Sequence, residues 1–299
     1  MASSHRSSFK GLEQPLEPSF IYGTAWKKDQ TKMLVKEALK AGFRKVDTAC
    51  QPRHYQESLV GEALREAYSE GIIGRNDVWL QTKYTSPAGQ DFNNMPYHPL
   101  DPLETQVRTS VSSSLRNLRP SEDSEDGSYI DSFLLHSPLP TIEQTIEAWN
   151  ILESYVPEKI RALGISNVSL PILQAVYEHA TIKPSVVQNR FYPATKYDLA
   201  LRYFCLEHDI SYQSFWTLTG NPRLLKSEPV LTLAKLCQVN ESVALYALVM
   251  DLGIVILNGT TSVQHMDEDL AGIAKVSRWK LAHATNWARL RLAFQPLVR

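Results

Sequence analysis

The sequence predicts a single (β/α)8 barrel, eight parallel strands alternating with helices, from three observations. Short apolar runs alternate with longer helical periodicities along the chain, the pattern of a parallel sheet with crossover helices. The strand-like runs number eight, which suits a closed barrel. Most of them end on a polar or aromatic residue, and in such a barrel the strand C-termini converge on one face where active sites are built.

The strand slots are Phe20–Gly23, Lys45–Asp47 and residues 78–83, 130–136, 162–165, 186–188, 210–214 and 254–257. In the first helix, over 31–39, apolar Met33, Leu34, Val35, Ala38 and Leu39 fall at helical spacing, and Gly42 marks the stop. Similar periodicity predicts helices over 59–68, 103–118, 142–155, 170–179, 199–205, 230–237 and 243–250. The second strand ends on Asp47, the third on Lys83, and the fourth delivers His136 just before a loop marked by Pro138. Later strands run into Ser166-Asn167, Gln188-Asn189 and Phe215-Trp216.

A chain of 299 residues suits about two average domains, but barrels of about 250 residues fold as one. No Gly/Ser-rich linker interrupts the pattern, so residues 19–299 are expected to form one domain with a C-terminal helical tail. Residues 1–18 read as a disordered arm, since they lack the apolar core of a secretory signal. Lys plus Arg number 31 against 32 Asp plus Glu, a net charge of -1, which gives no electrostatic support for nucleic-acid or membrane-surface binding. The chain offers no run of 18 apolar residues for a membrane span. Cys50, Cys205 and Cys237 are scattered, odd in number and without metal-ligand spacing, as expected of reduced thiols in a cytoplasmic protein that binds no metal. Cys50 lies near Asp47, but packing is the expected role of a small thiol.

Two loops stand out. The segment 84–99 follows the third strand and is expected to overhang the catalytic face as a lid. The acidic segment 119–128 precedes a strand and is expected to be solvated charge on the opposite face. Aromatic Trp26, Tyr84, Phe92, Tyr97 and Trp216 suggest an apolar pocket. Trp279, Trp287, Leu290 and Phe294 in the tail either cover the barrel mouth or pack on its side.

Five fragments occur in one order: Asp47-Thr48-Ala49, Thr82-Lys83, Asp131 through His136-Ser137-Pro138, Gly164-Ile165-Ser166-Asn167 and Gln188-Asn189. Together they resemble the aldo-keto reductase superfamily over roughly residues 20–270, in a divergent branch marked by Cys50-Gln51-Pro52 and Gly259-Thr260-Thr261. The resemblance implies a TIM barrel that reduces a small-molecule carbonyl with hydride from a nicotinamide cofactor. It assigns the catalytic roles to Asp47, Tyr55, Lys83 and His136.

The chemistry requires these residue types. As hydride reaches a carbonyl carbon, negative charge builds on oxygen, and a positioned acid is worth about 10²–10⁴-fold in rate. A phenol with its ordinary pKa of about 10 holds its proton too tightly. A lysine ammonium beside it would lower that value, with Asp47 holding Lys83 charged and oriented. His136 would donate a hydrogen bond to the carbonyl oxygen. The spacing departs from the family pattern: Tyr55 follows Asp47 by eight residues rather than five, and an ungapped alignment back from Gly61 places His54 at the acid's position. Both Tyr55 and His54 are therefore candidates, and only the phenol suits a lysine-tuned acid.

The resemblance also assigns Ser166, Asn167 and Gln188 to the nicotinamide carboxamide and Phe215 to stacking on the ring. Where the family holds a Lys and an Arg against the 2′-phosphate of NADPH, this chain has Gly259 and His265, with Thr260 and Thr261 nearby and Asp269 at a position that contacts adenine. Charge-assisted hydrogen bonds contribute roughly 1.5–3 kcal/mol each, so up to about 3–6 kcal/mol of phosphate preference is missing. A helix start and a protonated His265 would restore part of it. NADPH is expected on family grounds, with NADH close behind. Two other readings remain: a cofactor-binding regulatory barrel without turnover, and an aldolase-like Schiff base on Lys83, which the neighbouring Asp47 opposes.

Overall fold

The computed structural model describes residues 20–124 and 127–299. The proposed arm at 1–18 and residues 125–126 of the acidic segment lie outside the described residues. Eight parallel strands close into a barrel in sequence order: β1 Phe20–Gly23, β2 Lys45–Asp47, β3 Trp79–Tyr84, β4 Ser132–Leu135, β5 Leu163–Ser166, β6 Val186–Arg190, β7 Ser211–Phe215 and β8 Val255–Asn258. Pairing of Ile21 with Leu257 between β1 and β8 seals the cylinder.

The first six strands are each followed by one longer helix: α1 Thr31–Ala41, α2 Glu57–Ser69, α3 Leu103–Asn117, α4 Ile142–Glu153, α5 Leu170–His179 and α6 Leu199–Glu207. Three helices follow β7: α7 Pro222–Leu225, α8 Glu228–Cys237 and α9 Glu241–Met250. After β8 come α10 Val263–Ala282 and α11 Ala284–Phe294. α1 stops where Gly42 takes φ 117°, its N–H reaching Ala38 O and Leu39 O, as the sequence predicted. α9 is buried from Val243 to Val249 and apolar on all sides, because it is sandwiched between α8 and α10.

The core lies between the barrel and its helices, filled by residues such as Val46, Leu80, Phe133, Ile165 and Val187 from the strands and Leu34, Leu64, Val107 and Trp149 from the helices. Two glycines mark close approaches. A Cβ at Gly61 would lie 1.8 Å from Asn117 O, where α2 meets the end of α3, and one at Gly164 would lie 2.5 Å from Val186 O beside β6.

β3, β5, β7 and β8 sit one residue later than the sequence suggested, β6 runs two residues further and β4 is confined to Ser132–Leu135, so Lys83 and Gln188 lie inside β3 and β6 and His136 just past β4. The expected lid is instead anchored to the barrel at Thr85, Gly89, Gln90 and Tyr97, with residues 91–94 exposed and none of the segment lining the cavity at the strand C-termini. Gln90 Nε2 donates to Cys50 O at 2.8 Å, Gln51 Nε2 to Gly89 O at 2.6 Å, and Tyr97 OH donates to Thr85 O. Of the aromatic residues proposed for the pocket, Tyr84 and Tyr97 belong to the core and Phe92 is exposed. The tail packs on the barrel's side: Trp287, Leu290 and Phe294 are buried, α11 contacts α8 and α10, and Trp287 Nε1 donates to Asp251 Oδ1 at 3.2 Å. All three cysteines are buried free thiols, and burial pushes the Cys50 thiol up to about 12, in keeping with packing. No described helix is long and apolar enough to cross a membrane.

Candidate active site

A cavity of about 710 Å³ opens at the strand C-termini. It is lined by Asp47, Tyr55, His136, Ser166, Asn167, Gln188, Phe215, Gly259, Thr260, Thr261, His265 and Asp269, every proposed site residue except Lys83. Lys83 lies fully buried beneath the floor.

The floor is built by β2 and β3. Lys83 Nζ donates to both carboxylate oxygens of Asp47 at 2.7 Å and to Thr48 O at 2.8 Å, which uses all three ammonium protons. Burial lowers the Lys83 pKa while the charge of Asp47 works to raise it. Asp47 Oδ1 also accepts from Gln81 Nε2 at 2.7 Å and Gln188 Nε2 at 3.0 Å. Gln213 Oε1 accepts from the same two amides, and Gln213 Nε2 returns a bond to Gln81 Oε1. Because a carboxylate only accepts, Asp47 fixes the direction of every amide in this layer. Gln188 thus turns Nε2 inward and leaves Oε1 to the cavity.

Tyr55 follows a tight turn in which Tyr55 N bonds Gln51 O at 3.0 Å. Lys83 Nζ is 5.3 Å from its ring centroid, and its ring meets that of His136 edge-on at 5.8 Å. Burial and then the charge of Asp47 raise the Tyr55 pKa above the ordinary phenol value. The expected lowering by Lys83 is therefore not realised here, because the ammonium is spent on Asp47 and Thr48. His54 also lines the cavity, but its ring packs at a tilt against the exposed Trp26, centroids 3.9 Å apart.

His136 is aimed by neighbours on both sides. Its Nδ1 is 2.6 Å from Thr85 Oγ1, and its backbone carbonyl accepts from Asn167 Nδ2 at 2.9 Å. Burial, followed by the charge of Lys83, holds its pKa well below the usual histidine value, so the ring is neutral near pH 7. In the tautomer where the threonine hydroxyl donates to Nδ1, the ring proton is on Nε2 and can be offered to a ligand.

Asn167 adopts φ 53°, Trp216 φ 61° and Trp26 φ 65°, left-handed conformations just past β5, β7 and β1 that turn these residues into the cavity wall. Such strain costs of order 1–3 kcal/mol per residue and is concentrated at functional sites. Ser166 Oγ donates to Gln188 O at 2.6 Å and accepts from Asn167 Nδ2 at 3.2 Å. Beyond β8, Thr260 N donates to Asn258 Oδ1 at 3.0 Å, and Ser262 caps α10 by accepting from His265 N at 3.3 Å. Asp269 is buried, accepts from Asn258 Nδ2 at 2.7 Å, and has its pKa raised chiefly by burial.

Sequence reading missed Lys27, Arg190, Gln81, Gln213 and Thr85. Lys27 is buried, lines the cavity and donates to Gly259 O and to Thr260 O, the latter at 3.3 Å. Burial brings its pKa down to about 8. Arg190 stands two residues after Gln188 and Gln81 two before Lys83, so period-two alternation was the available signal for both. Among the described residues, no cluster of His, Cys, Asp and Glu is arranged to hold a metal.

Comparisons agree with this architecture. An uncharacterised oxidoreductase of Schizosaccharomyces pombe is 28% identical over 239 residues, covering 79% of this chain and 75% of its own length. The NAD/NADP-dependent indole-3-acetaldehyde reductase of the same yeast is 27% identical over 269 residues, covering 85% and 84%. In fold, the crystal structure of a Bombyx mori aldo-keto reductase in complex with NADP superposes with a TM-score of 0.68 at 19% identity, over 87% of each chain. The model of the Aldo/keto reductase family matches residues 19–276, from the edge of β1 well into α10. With barrel, cavity and match spanning the same residues, the chain belongs to the aldo/keto reductase family.

Proposed function

We propose that this oxidoreductase reduces an aldehyde or ketone to the alcohol with NADPH or NADH, Tyr55 giving the proton and His136 orienting the carbonyl. The observation that carries this reading is the convergence of the Tyr55 ring, the His136 ring and the Lys83–Asp47 pair on one cavity floor. The donor set fits a dinucleotide. Gln188 Oε1 is free to accept from a carboxamide, Phe215 offers a flat face, and Lys27 with the capped start of α10 offers positive charge for phosphates. When bound, the reduced nicotinamide supplies hydride to the carbonyl carbon.

Tyr55 then protonates the developing alkoxide. Its raised pKa keeps the phenol protonated at working pH, so the acid is loaded before turnover. Lys83 steadies the phenolate left behind, and Asp47 limits that help by sharing the ammonium. Neutral His136 donates from Nε2 to the carbonyl oxygen, a role that needs no change of its charge. His54 serves less well as the acid because its ring lies against the exposed Trp26, whereas the Tyr55 ring is the one that Lys83 Nζ approaches. On the phosphate side, Gly259 and His265 stand where a lysine and an arginine would be expected, and Lys27 answers the phosphates common to both cofactors. NADPH remains favoured by kinship with NADP-bound relatives, and NADH is expected within roughly tenfold.

The test is cofactor consumption with a reactive aromatic aldehyde by the wild type, Tyr55→Phe and His54→Ala. Loss of turnover in Tyr55→Phe alone, with cofactor binding kept, is the expected result. Full turnover by Tyr55→Phe would remove the acid assignment, and cofactor binding without turnover in the wild type would favour a regulatory barrel.

A further inference from the structure

Arg190 is a cation in the cavity wall that the proposed reaction leaves unused. It ends β6, shares the inward face with Gln188, and is partly buried. Its Nη1 donates to Asn167 Oδ1 at 2.7 Å. The guanidinium carbon lies 5.3 Å from the Phe215 ring centroid and 4.8 Å from that of Trp216, so two aromatic rings hold the group in place. Among the described residues no carboxylate lies within ion-pair distance of it, although Arg75, Arg161 and Lys83 each have one.

A guanidinium carries five donors, and only one has a described side-chain partner here. Holding an unpaired charge partly out of water is unfavourable unless a ligand supplies the opposite charge. The planar fork matches a carboxylate with two parallel hydrogen bonds.

Two anions can enter this cavity, the cofactor's phosphates and a charged group on the substrate. Lys27 stands with Gly259 and Thr260 beyond β8, the segment assigned to the phosphates. Arg190 is tied instead to the carbonyl-orienting end: Asn167 accepts from Arg190 and donates to His136 O at 2.9 Å. We propose that Arg190 selects carbonyl substrates that carry a carboxylate near the reacting carbon, an inference that rests on the reductase reading above.

The experiment compares kcat/KM for two matched pairs, phenylglyoxylate against its methyl ester and 3-formylbenzoate against its methyl ester, in wild type, Arg190→Met and Arg190→Lys. In at least one pair the acid-to-ester ratio is expected to drop about tenfold or more in Arg190→Met, and Arg190→Lys to retain part of it, as befits loss of a charge-assisted bond. The ratio is the readout because a purely structural defect lowers both members of a pair alike. Equal ratios in wild type and Arg190→Met would overturn the proposal. So would an unchanged ratio with NADPH and NADH both binding at least tenfold more weakly, since the anion would then be the cofactor's. If the wild type turns over none of the four, the reductase reading fails separately. Tryptophan quenching by phenylglyoxylate in cofactor-saturated wild type and Arg190→Met then decides the role of Arg190, and equal affinities reject it.

Discussion

At Tyr55, burial and the nearby Asp47 charge hold the phenolic proton, while the Lys83 ammonium favours its release. In the resting arrangement the first two win, because Lys83 is satisfied by Asp47 and Thr48. Removing the phenol is expected to lower kcat by about 10²–10⁴-fold while leaving quenching by NADPH in place, which stopped-flow fluorescence measures. Lys27 supplies a pH dependence with a definite sign. Its pKa of about 8 in the fold lies below the ordinary lysine value of 10.5, so between these values the unfolded chain binds more protons and the fold gains stability as pH rises. An anionic ligand beside Lys27 reverses that preference by favouring the charged form. Cofactor affinity should therefore weaken several-fold as pH rises from 7 to 9.5, and Lys27→Met should flatten the trend; a wild-type affinity indifferent to pH would detach Lys27 from the phosphates.

At the scale of elements, α2 and α3 approach so closely at Gly61 that a methyl group collides with the backbone of Asn117. Backbone cannot swing aside as a side chain can, so Gly61→Ala is expected to cost about 1–3 kcal/mol, read as a lower melting temperature. Glu57, at the start of α2 and two residues from Tyr55, ties this contact to the site. It is buried with its pKa raised by that burial, and accepts from Ser114 Oγ at 2.9 Å and Asn117 Nδ2 at 3.0 Å. Inside the barrel, Gln213→Leu would leave one amide proton on each of Gln81 and Gln188 without its acceptor. Cofactor binding is expected to weaken by about 1–3 kcal/mol, and calorimetric titration would reveal unchanged affinity if the amide layer does not orient Gln188. Strand order and the residues at strand ends were legible in the sequence because apolar runs terminate sharply at Asp47, His136 and Asn167. Arg190, Gln81 and Gln213 were harder to read because they sit within or at the ends of strands, where polar side chains make sense only once the opposite strands are known. The segment 84–99 was misread because Gln90, Gln51 and Tyr97 anchor it through bonds to distant backbone, which no local pattern announces.

Across the whole molecule, a nearly neutral chain concentrates positive groups in one cavity. Asp47 and Lys83 offset each other, which leaves Lys27 and Arg190 on different walls, with Asp269 bonded to Asn258. That distribution suits a ligand pair bringing phosphates to one wall and a carboxylate to the other, and added salt should weaken both. The central claim, carbonyl reduction with Tyr55 as the acid, is tested most directly by following deuterium. Wild type and Tyr55→Phe would be incubated with NADPH deuterated at the transferable position and 3-formylbenzoate, and the alcohol examined by mass spectrometry. One deuterium per alcohol formed, at a rate about 100-fold or more above that of Tyr55→Phe, is the expected result. Cofactor binding with no deuterated alcohol, or equal rates in the two proteins, would contradict it.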